Sequence, residues 1–248
     1  MGHVPRLARD AFNGILDLVF PAACWACNQL LDNGHISFCA DCKTALLVDP
    51  LLSCPRCAGT VGPFTAQLDG CHQCRFEEFK FASAARLGPY EGLLRELILR
   101  MKKLSGEMLA EKVGSLWAEA RAEKLRQMQP NLIIPVPLHW WRRMRRGYNQ
   151  SEALARPLAR TLGLPLVRHW LRRIRPTPSQ VQQTPAERRK NIHKAFWARL
   201  SGEYNKQTVL LVDDVMTTGS TANDAARALL AAGAGRVVVA VLARTSGH

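Results

Sequence analysis

The chain has 248 residues, 47% of them hydrophobic and 22% charged, with a formal net charge of +14. That length admits one mid-sized domain plus a small one, the hydrophobic share is that of a globular protein, and no stretch reaches the ~20 apolar residues of a membrane-spanning helix. The basic surplus gathers in WWRRMRRG (140–147), RHWLRRIR (168–175) and ERRKN (187–191); any one of these is explained by a solvated face, but three in one half of the chain predict an anion-binding face, suited to nucleic acid or phosphorylated metabolites.

At the N-terminal end, Leu7, Ala11, Phe12, Ile15, Leu16 and Val19 recur at helical spacing, while Asp10, Asn13 and Asp17 interrupt the apolar run. This predicts an amphipathic helix over 1–20 rather than a signal peptide. All eight cysteines follow, between positions 24 and 74, as four C-x-x-C pairs: Cys24/Cys27, Cys39/Cys42, Cys54/Cys57 and Cys71/Cys74. Two intervening residues let both sulfurs of a tight knuckle point at one ion, and two knuckles complete a tetrahedral thiolate shell. Four knuckles therefore predict two structural zinc ions. The competing reading, a disulfide framework, belongs to oxidising compartments, and nothing else points to secretion; a cytoplasmic location is expected. The gaps of 11, 11 and 13 residues suit sequential pairing, first knuckle with second and third with fourth, ahead of a cross-braced arrangement. Residues 21–80 hold too little apolar content for a core, so the metals would supply folding free energy, on the order of 10 kcal/mol each. Eight thiolates around two zinc ions would lower the formal charge to about +10. His35 and His72 are expected on the surface.

From Tyr90 to Gln129 the pattern is helical, with a break at Ser105-Gly106 and an apolar face of Leu93, Leu94, Leu97, Ile98, Met101 and Leu104. NLIIPVP (131–137) reads as a buried strand, SEALARPLARTLG (151–163) as a helix capped by Gly163, and LPLVRHWL (164–171) as a possible strand. Residues 172–194 are polar and basic with no usable period; a connection that long inside a compact domain is often a functional lid. QTVLLVDD (207–214) is the clearest strand, Thr221–Ala232 the clearest helix, and RVVVAVLA (236–243) a further buried strand. Strand, helix and strand in that order predict a right-handed βαβ unit with parallel strands. The expected organisation is a helix over 1–20, a double zinc ribbon over 21–80 and an α/β domain over 81–248.

Asp213 and Asp214 end the clearest strand, and Thr217, Thr218, Gly219, Ser220 and Thr221 lead into its helix. In open parallel sheets ligands bind beyond the carboxyl ends of strands, and a helix N-terminus with free amides suits a phosphate. One short segment thus combines acceptors for vicinal hydroxyls with a phosphate cradle, as a 5-phosphorylated ribose requires. A plain capped turn explains one or two of these residues, not seven together.

VLLVDDVMTTGST resembles the phosphoribosyl-pyrophosphate (PRPP) signature of type I phosphoribosyltransferases. PVPLHWWRRMRRGYNQSEALAR and RIRPTPSQVQQTPAERRKNIHKAF resemble segments of the ComF/GntX family, and the four knuckles resemble the double zinc ribbon of many of its members. The resemblance covers nearly the whole chain in the same order. It implies a phosphoribosyltransferase-like parallel sheet with helices on both faces, preceded by the ribbon. It further implies that Asp213 and Asp214 contact ribose hydroxyls and that Thr217–Thr221 cradle the 5-phosphate. Arg146, Gly147, Asn149 and Gln150 would face the pyrophosphate, and Thr177, Gln180, Arg188 and Asn191 would lie in a lid over 175–191. Mg²⁺ would accompany PRPP, held mostly by ligand oxygens. The implied reaction is transfer of phosphoribose to an acceptor the motifs do not name, linked to DNA uptake or nucleotide metabolism. The alternative is a non-catalytic PRPP or nucleotide sensor that binds single-stranded DNA beside a DNA-processing partner. Trp140, Trp141 and Trp170, set among arginines, fit either base stacking or a core role.

Overall fold

The computed structural model describes residues 22–31, 37–49, 52–62, 70–175 and 195–245. The helix expected over 1–20 lies outside them. The chain divides into two compact units, 1–45 and 46–248. The cut falls between the second and third knuckles, so the second pair of knuckles shares a compact unit with the sheet.

In the first unit a tight turn over 25–27 is closed by an antiparallel bridge between Ala23 and Leu30. Helix α1 (Ala40–Leu47) begins directly after Cys39, carries Cys42 and runs across the division between the units.

The second unit holds a small hairpin, β1 (Leu52–Ser53) against β2 (Thr60–Val61), and a four-stranded parallel sheet. The sheet is built from β3 (Ser83–Pro89), β4 (Leu132–Pro135), β7 (Thr208–Met216) and β8 (Arg236–Arg244), in the order β3-β8-β7-β4. Val209–Val212 and Val237–Ala243 are all buried. That is the signature of strands covered on both faces, and it explains their unbroken apolar runs. Successive side chains alternate between faces. Val209, Leu211, Val237, Val239 and Val241 share a core with Ala222, Ala225, Ala226 and Leu229 of helix α6 (Ser220–Ala231). Helices α3 (Glu107–Gln127) and α5 (Gln150–Leu162) cover the other face. As expected, α6 joins two adjacent parallel strands.

Several expectations shift. Helix α2 (Gly92–Met101) ends before Leu104, which is consequently 72% exposed instead of continuing the apolar face. The break spans 102–106, and a Cβ on Gly106 would stand 2.5 Å from the Met101 carbonyl oxygen, so glycine is required there. The segment 164–171 is mostly not a strand: Leu166 makes one bridge to Ile133, and only β5 (Leu171–Arg173) is extended, paired antiparallel with β6 (Phe196–Ala198). Between β4 and α5 the chain forms the short helix α4 (Trp140–Arg146), which the sequence reading did not anticipate.

Candidate active site at the end of the central strand

Strand β7 continues two residues past the acidic pair, to Met216. Asp213 and Asp214 are nevertheless the first residues of β7 that β4 does not cover. The β4 ladder ends at Pro135↔Val212, with the Val136 N–H donating to the Val212 carbonyl at 2.8 Å. The chain leaving β4 then meets both acids. Ser151 Oγ donates to Asp213 Oδ1 at 2.9 Å, and Gln150 Nε2 donates to Asp214 Oδ2 at 3.1 Å. Lys102, the residue that caps α2, brings its Nζ to 3.4 Å from Asp214 Oδ2. The Tyr148 hydroxyl ties this cap to the same segment by donating to the Met101 carbonyl.

These surroundings split two identical side chains. Burial first, and the neighbouring Asp214 charge second, push the Asp213 carboxyl up to about 8. Asp214 is also opposed by burial, but Lys102 and the Gln150 amide hold it below the usual carboxylate range. At neutral pH the pair carries about one negative charge, not two, with Lys102 beside it. Arg146 feels the same field: burial lowers its pKa and Asp214 offsets part of the effect. An anionic ligand therefore meets far less repulsion than two adjacent carboxylates would suggest.

Beyond Met216 the chain turns through Thr217–Gly219 into α6. Gly219 takes the left-handed conformation (φ 83°) that glycine tolerates best. Thr218 Oγ1 and Ser220 Oγ lie 2.6 Å apart, and the Ser220 N–H donates to Thr218 Oγ1 at 3.3 Å. Asp213, Val215, Met216, Thr217, Gly219, Ser220, Thr221, Ala222 and Val241 line an open cleft. The cleft combines a carboxyl group, hydroxyls and a helix N-terminus.

The structure thus brings Asp213, Thr217, Gly219, Ser220 and Thr221 together around the cleft, with Thr218 hydrogen-bonded to Ser220; Asp214 meets Gln150 and Lys102 instead, with Arg146 within electrostatic reach. Gly147 caps α4 in the left-handed region (φ 76°). Asn149 is committed to the backbone: its Oδ1 accepts from the Ser151 N–H and its Nδ2 donates to the Val136 carbonyl. It shapes the turn into α5. Thr177, Gln180, Arg188 and Asn191 lie outside the described residues. Sequence reading missed Lys102 and Ser151. Lys102 follows an apolar helical stretch and looks like ordinary C-terminal charge, and Ser151 reads as a helix start.

The knuckles form two quartets in sequential pairing, Cys24, Cys27, Cys39 and Cys42, and Cys54, Cys57, Cys71 and Cys74. Within each, the four sulfurs lie within 4.8 Å of one another. Sulfur–sulfur edges measure 3.8 Å for Cys27–Cys39, 3.8 Å for Cys54–Cys74, 3.6 Å for Cys57–Cys71 and 3.8 Å for Cys71–Cys74. A tetrahedron with Zn–S bonds of ~2.3 Å has edges of about 3.8 Å. Both quartets therefore fit zinc, and none of the eight cysteines is disulfide-bonded. Backbone amides support the sulfurs, Cys39 N–H to Cys24 Sγ at 3.3 Å and Gly59 N–H to Cys57 Sγ at 3.4 Å.

Residues 144–247 match the family described as Phosphoribosyl transferase domain. The chain is 33% identical to the DNA utilization protein YhgH of Escherichia coli O157:H7 over 92% of its own length and 99% of that protein. It is 31% identical to Competence protein F of Haemophilus influenzae over 91% of its length and 98% of the relative. A purine phosphoribosyltransferase structure from Pyrococcus horikoshii overlaps 51% of this chain and 70% of that one, at 24% identity and a TM-score of 0.31, too loose an overlap to add weight. Sheet, cleft and family match define a phosphoribosyltransferase-type domain, accompanied by cysteine quartets built for metal. Identity above 30% across nearly the full length of both partners goes further: the chain belongs to the ComF family.

Proposed function

We propose that the chain binds PRPP with Mg²⁺ at the end of β7 and transfers its phosphoribosyl group to an acceptor, releasing pyrophosphate. The observation that carries this reading is the cleft that Asp213 shares with Thr217, Gly219, Ser220 and Thr221 of the turn, with Asp214 the next residue of the same strand end. In this reading the ribose hydroxyls donate to the two carboxyl groups, and the 5-phosphate sits against the hydroxyls and amides at the start of α6. Lys102 and Arg146 lie on the side of Asp214 where the diphosphate would extend. Two acids already supported by Ser151, Gln150 and Lys102 fit an Mg²⁺ held mainly by ligand oxygens, which would neutralise charge on the leaving group.

The bond from C1′ to the pyrophosphate oxygen breaks, its electron pair leaves with pyrophosphate, and a lone pair on the acceptor forms the new bond at C1′. Charge grows on the leaving group as the ribose acquires oxocarbenium character. Cations and amides fixed in advance around that charge are the main source of rate. Calorimetry with PRPP and Mg²⁺ tests binding, and pyrophosphate release with nucleobases or single-stranded DNA as acceptors tests transfer. Saturable binding with acceptor-dependent release supports the enzyme, binding without release leaves a PRPP sensor, and no binding overturns both.

A second reading, binding of single-stranded DNA, is favoured by helix α4. Trp140, Trp141 and Met144 are 62%, 56% and 71% exposed on a seven-residue helix with four arginines. Trp170 does not share this role: it packs against the core and meets Tyr204 edge-on at 5.0 Å. The relatives named for DNA utilization and competence agree with a DNA-related role. Binding to oligo-dT should weaken steeply with salt, with roughly 0.7 added to the log–log slope per phosphate neutralised. Replacing Trp140 and Trp141 by alanine should weaken it further; salt-independent binding would count against this reading.

A further inference from the structure

The second cysteine quartet sits in the same compact unit as the cleft, and its contacts run directly to the Thr217–Thr221 turn. Arg244, the last residue of β8, is buried between the two. Its Nε donates to the Cys57 carbonyl at 3.1 Å and its Nη1 donates to the Met216 carbonyl at 3.1 Å. One guanidinium thus joins a metal knuckle to the residue at which the turn leaves the sheet. Phe79 makes a second link. It packs against both the cysteine cluster and the main core, and its ring would lie 3.1 Å from a Cβ on Gly219. The third link runs to α6, where Asn223 Oδ1 accepts from the Lys80 N–H at 2.5 Å and Nδ2 donates to the Glu78 carbonyl at 3.4 Å. Arg56 braces the knuckle side, donating to the carbonyls of Cys74 at 2.7 Å and Glu77 at 2.5 Å.

We infer that the second quartet is the foundation of the phosphate-binding turn, and that Arg244 and Phe79 are the positioning residues through which it fixes Met216–Gly219. The sheet alone does not define this turn. Its ladder partners stop at Met216↔Arg244, where the Thr245 N–H also donates to the Met216 carbonyl at 3.1 Å, and the three links to the knuckles add restraints beyond that point. A turn that presents amides and hydroxyls to a phosphate must be held to within a fraction of an ångström to bind well, and neighbouring packing supplies that restraint. A Cys₄ metal site is a rigid element, closed to solvent ligands and suited to this work. A guanidinium can serve two carbonyls at once in fixed geometry; a lysine ammonium lacks that planar fork. The inference rests on the PRPP reading for its ligand, but the coupling itself concerns the turn.

The test uses the full chain with its metal. Arg244→Met, Phe79→Leu and the core variant Leu125→Ala, which alters a buried residue of α3 away from the cleft, are compared with the parent. PRPP·Mg²⁺ affinity is measured by calorimetry, and amide hydrogen exchange is followed across 217–221 without ligand. Arg244→Met should weaken PRPP at least tenfold and speed exchange across 217–221, while exchange in the β7 strand amides stays as in the parent. Phe79→Leu should act in the same direction, and Leu125→Ala should leave affinity within twofold despite its lower stability. Chelation of the metal should speed the same turn amides in the parent. Equal weakening by Leu125→Ala would show only a loss of global stability and overturn the inference, as would unchanged turn exchange in both Arg244→Met and Phe79→Leu. If the parent itself binds no PRPP, the phosphoribose reading fails, and turn exchange still decides the coupling.

Discussion

Asp213 and Asp214 are one residue apart, yet their surroundings drive them in opposite directions, and this has consequences for pH. Asp213 is raised to about 8 by burial and by its neighbour. Between the ordinary carboxylate value and about 8, the folded chain keeps a proton that the unfolded chain releases, so Asp213 makes stability fall as pH rises through this window. Asp214 is lowered, so its contribution is present at neutral pH and is lost as the solution becomes acid. Asp213→Asn should therefore flatten the fall in stability between pH 6 and 8, checked by urea denaturation across that range; an unchanged slope would show that Asp213 is ionised like an exposed carboxylate. The acidic pair and the hydroxyl turn were legible because their chemistry is crowded into nine consecutive positions. Lys102 was not: the break after α2 was legible at Ser105-Gly106, but the approach of Lys102 Nζ to Asp214 Oδ2, at 3.4 Å, is a long-range contact with no local pattern.

At the scale of elements, continuous apolar runs identified β7 and β8 correctly, because strands buried on both faces need no polar alternation. The same logic misled over LPLVRHWL. Its apolar content serves packing around a single bridge at Leu166, not a ladder. The contact between α3 and α5 shows how closely the helical layer is set. A Cβ on Gly114 would stand 2.7 Å from Pro157 Cγ and 2.9 Å from the Leu154 carbonyl oxygen. Because the second obstacle is backbone, the helices must separate to admit it. Gly114→Ala should lower stability by about 1–3 kcal/mol, whereas Gly202→Ala, with open space around it, should change it by less than about 0.5 kcal/mol. Denaturant midpoints of the two variants check this; equal midpoints would mean that the α3–α5 contact is loose enough to absorb the methyl.

For the whole molecule, spacing alone revealed the four knuckles and their sequential pairing, since C-x-x-C geometry is local. It did not reveal that the second quartet belongs to the sheet unit. That depends on Arg86 and Arg244, whose side chains run inward: Arg86 donates to the Ala58 carbonyl at 3.2 Å and Thr60 Oγ1 at 2.8 Å and pairs with Asp49 at 2.9 Å. An arginine in or at the end of a strand ordinarily reads as a solvent-facing charge, so burial of these two could not be seen in the sequence. Metal analysis of chain purified without chelator should give about two zinc ions per chain by the four-ligand rule. A value near zero, with the cysteines oxidised in pairs, would contradict the quartet assignment.

The most direct test of the phosphoribose site is the affinity of PRPP·Mg²⁺ for the parent and for the double variant Asp213→Asn, Asp214→Asn, measured by calorimetry with zinc content and circular dichroism as controls. A hydrogen bond to a charged acceptor contributes roughly 1.5–3 kcal/mol and one to a neutral acceptor roughly 0.5–1.5 kcal/mol. Loss of one of each should weaken binding by about 10–10³-fold, while zinc content and fold stay as in the parent. A double variant that binds PRPP as tightly as the parent would contradict the account, leaving Asp213–Thr221 as a capped turn between a strand and a helix.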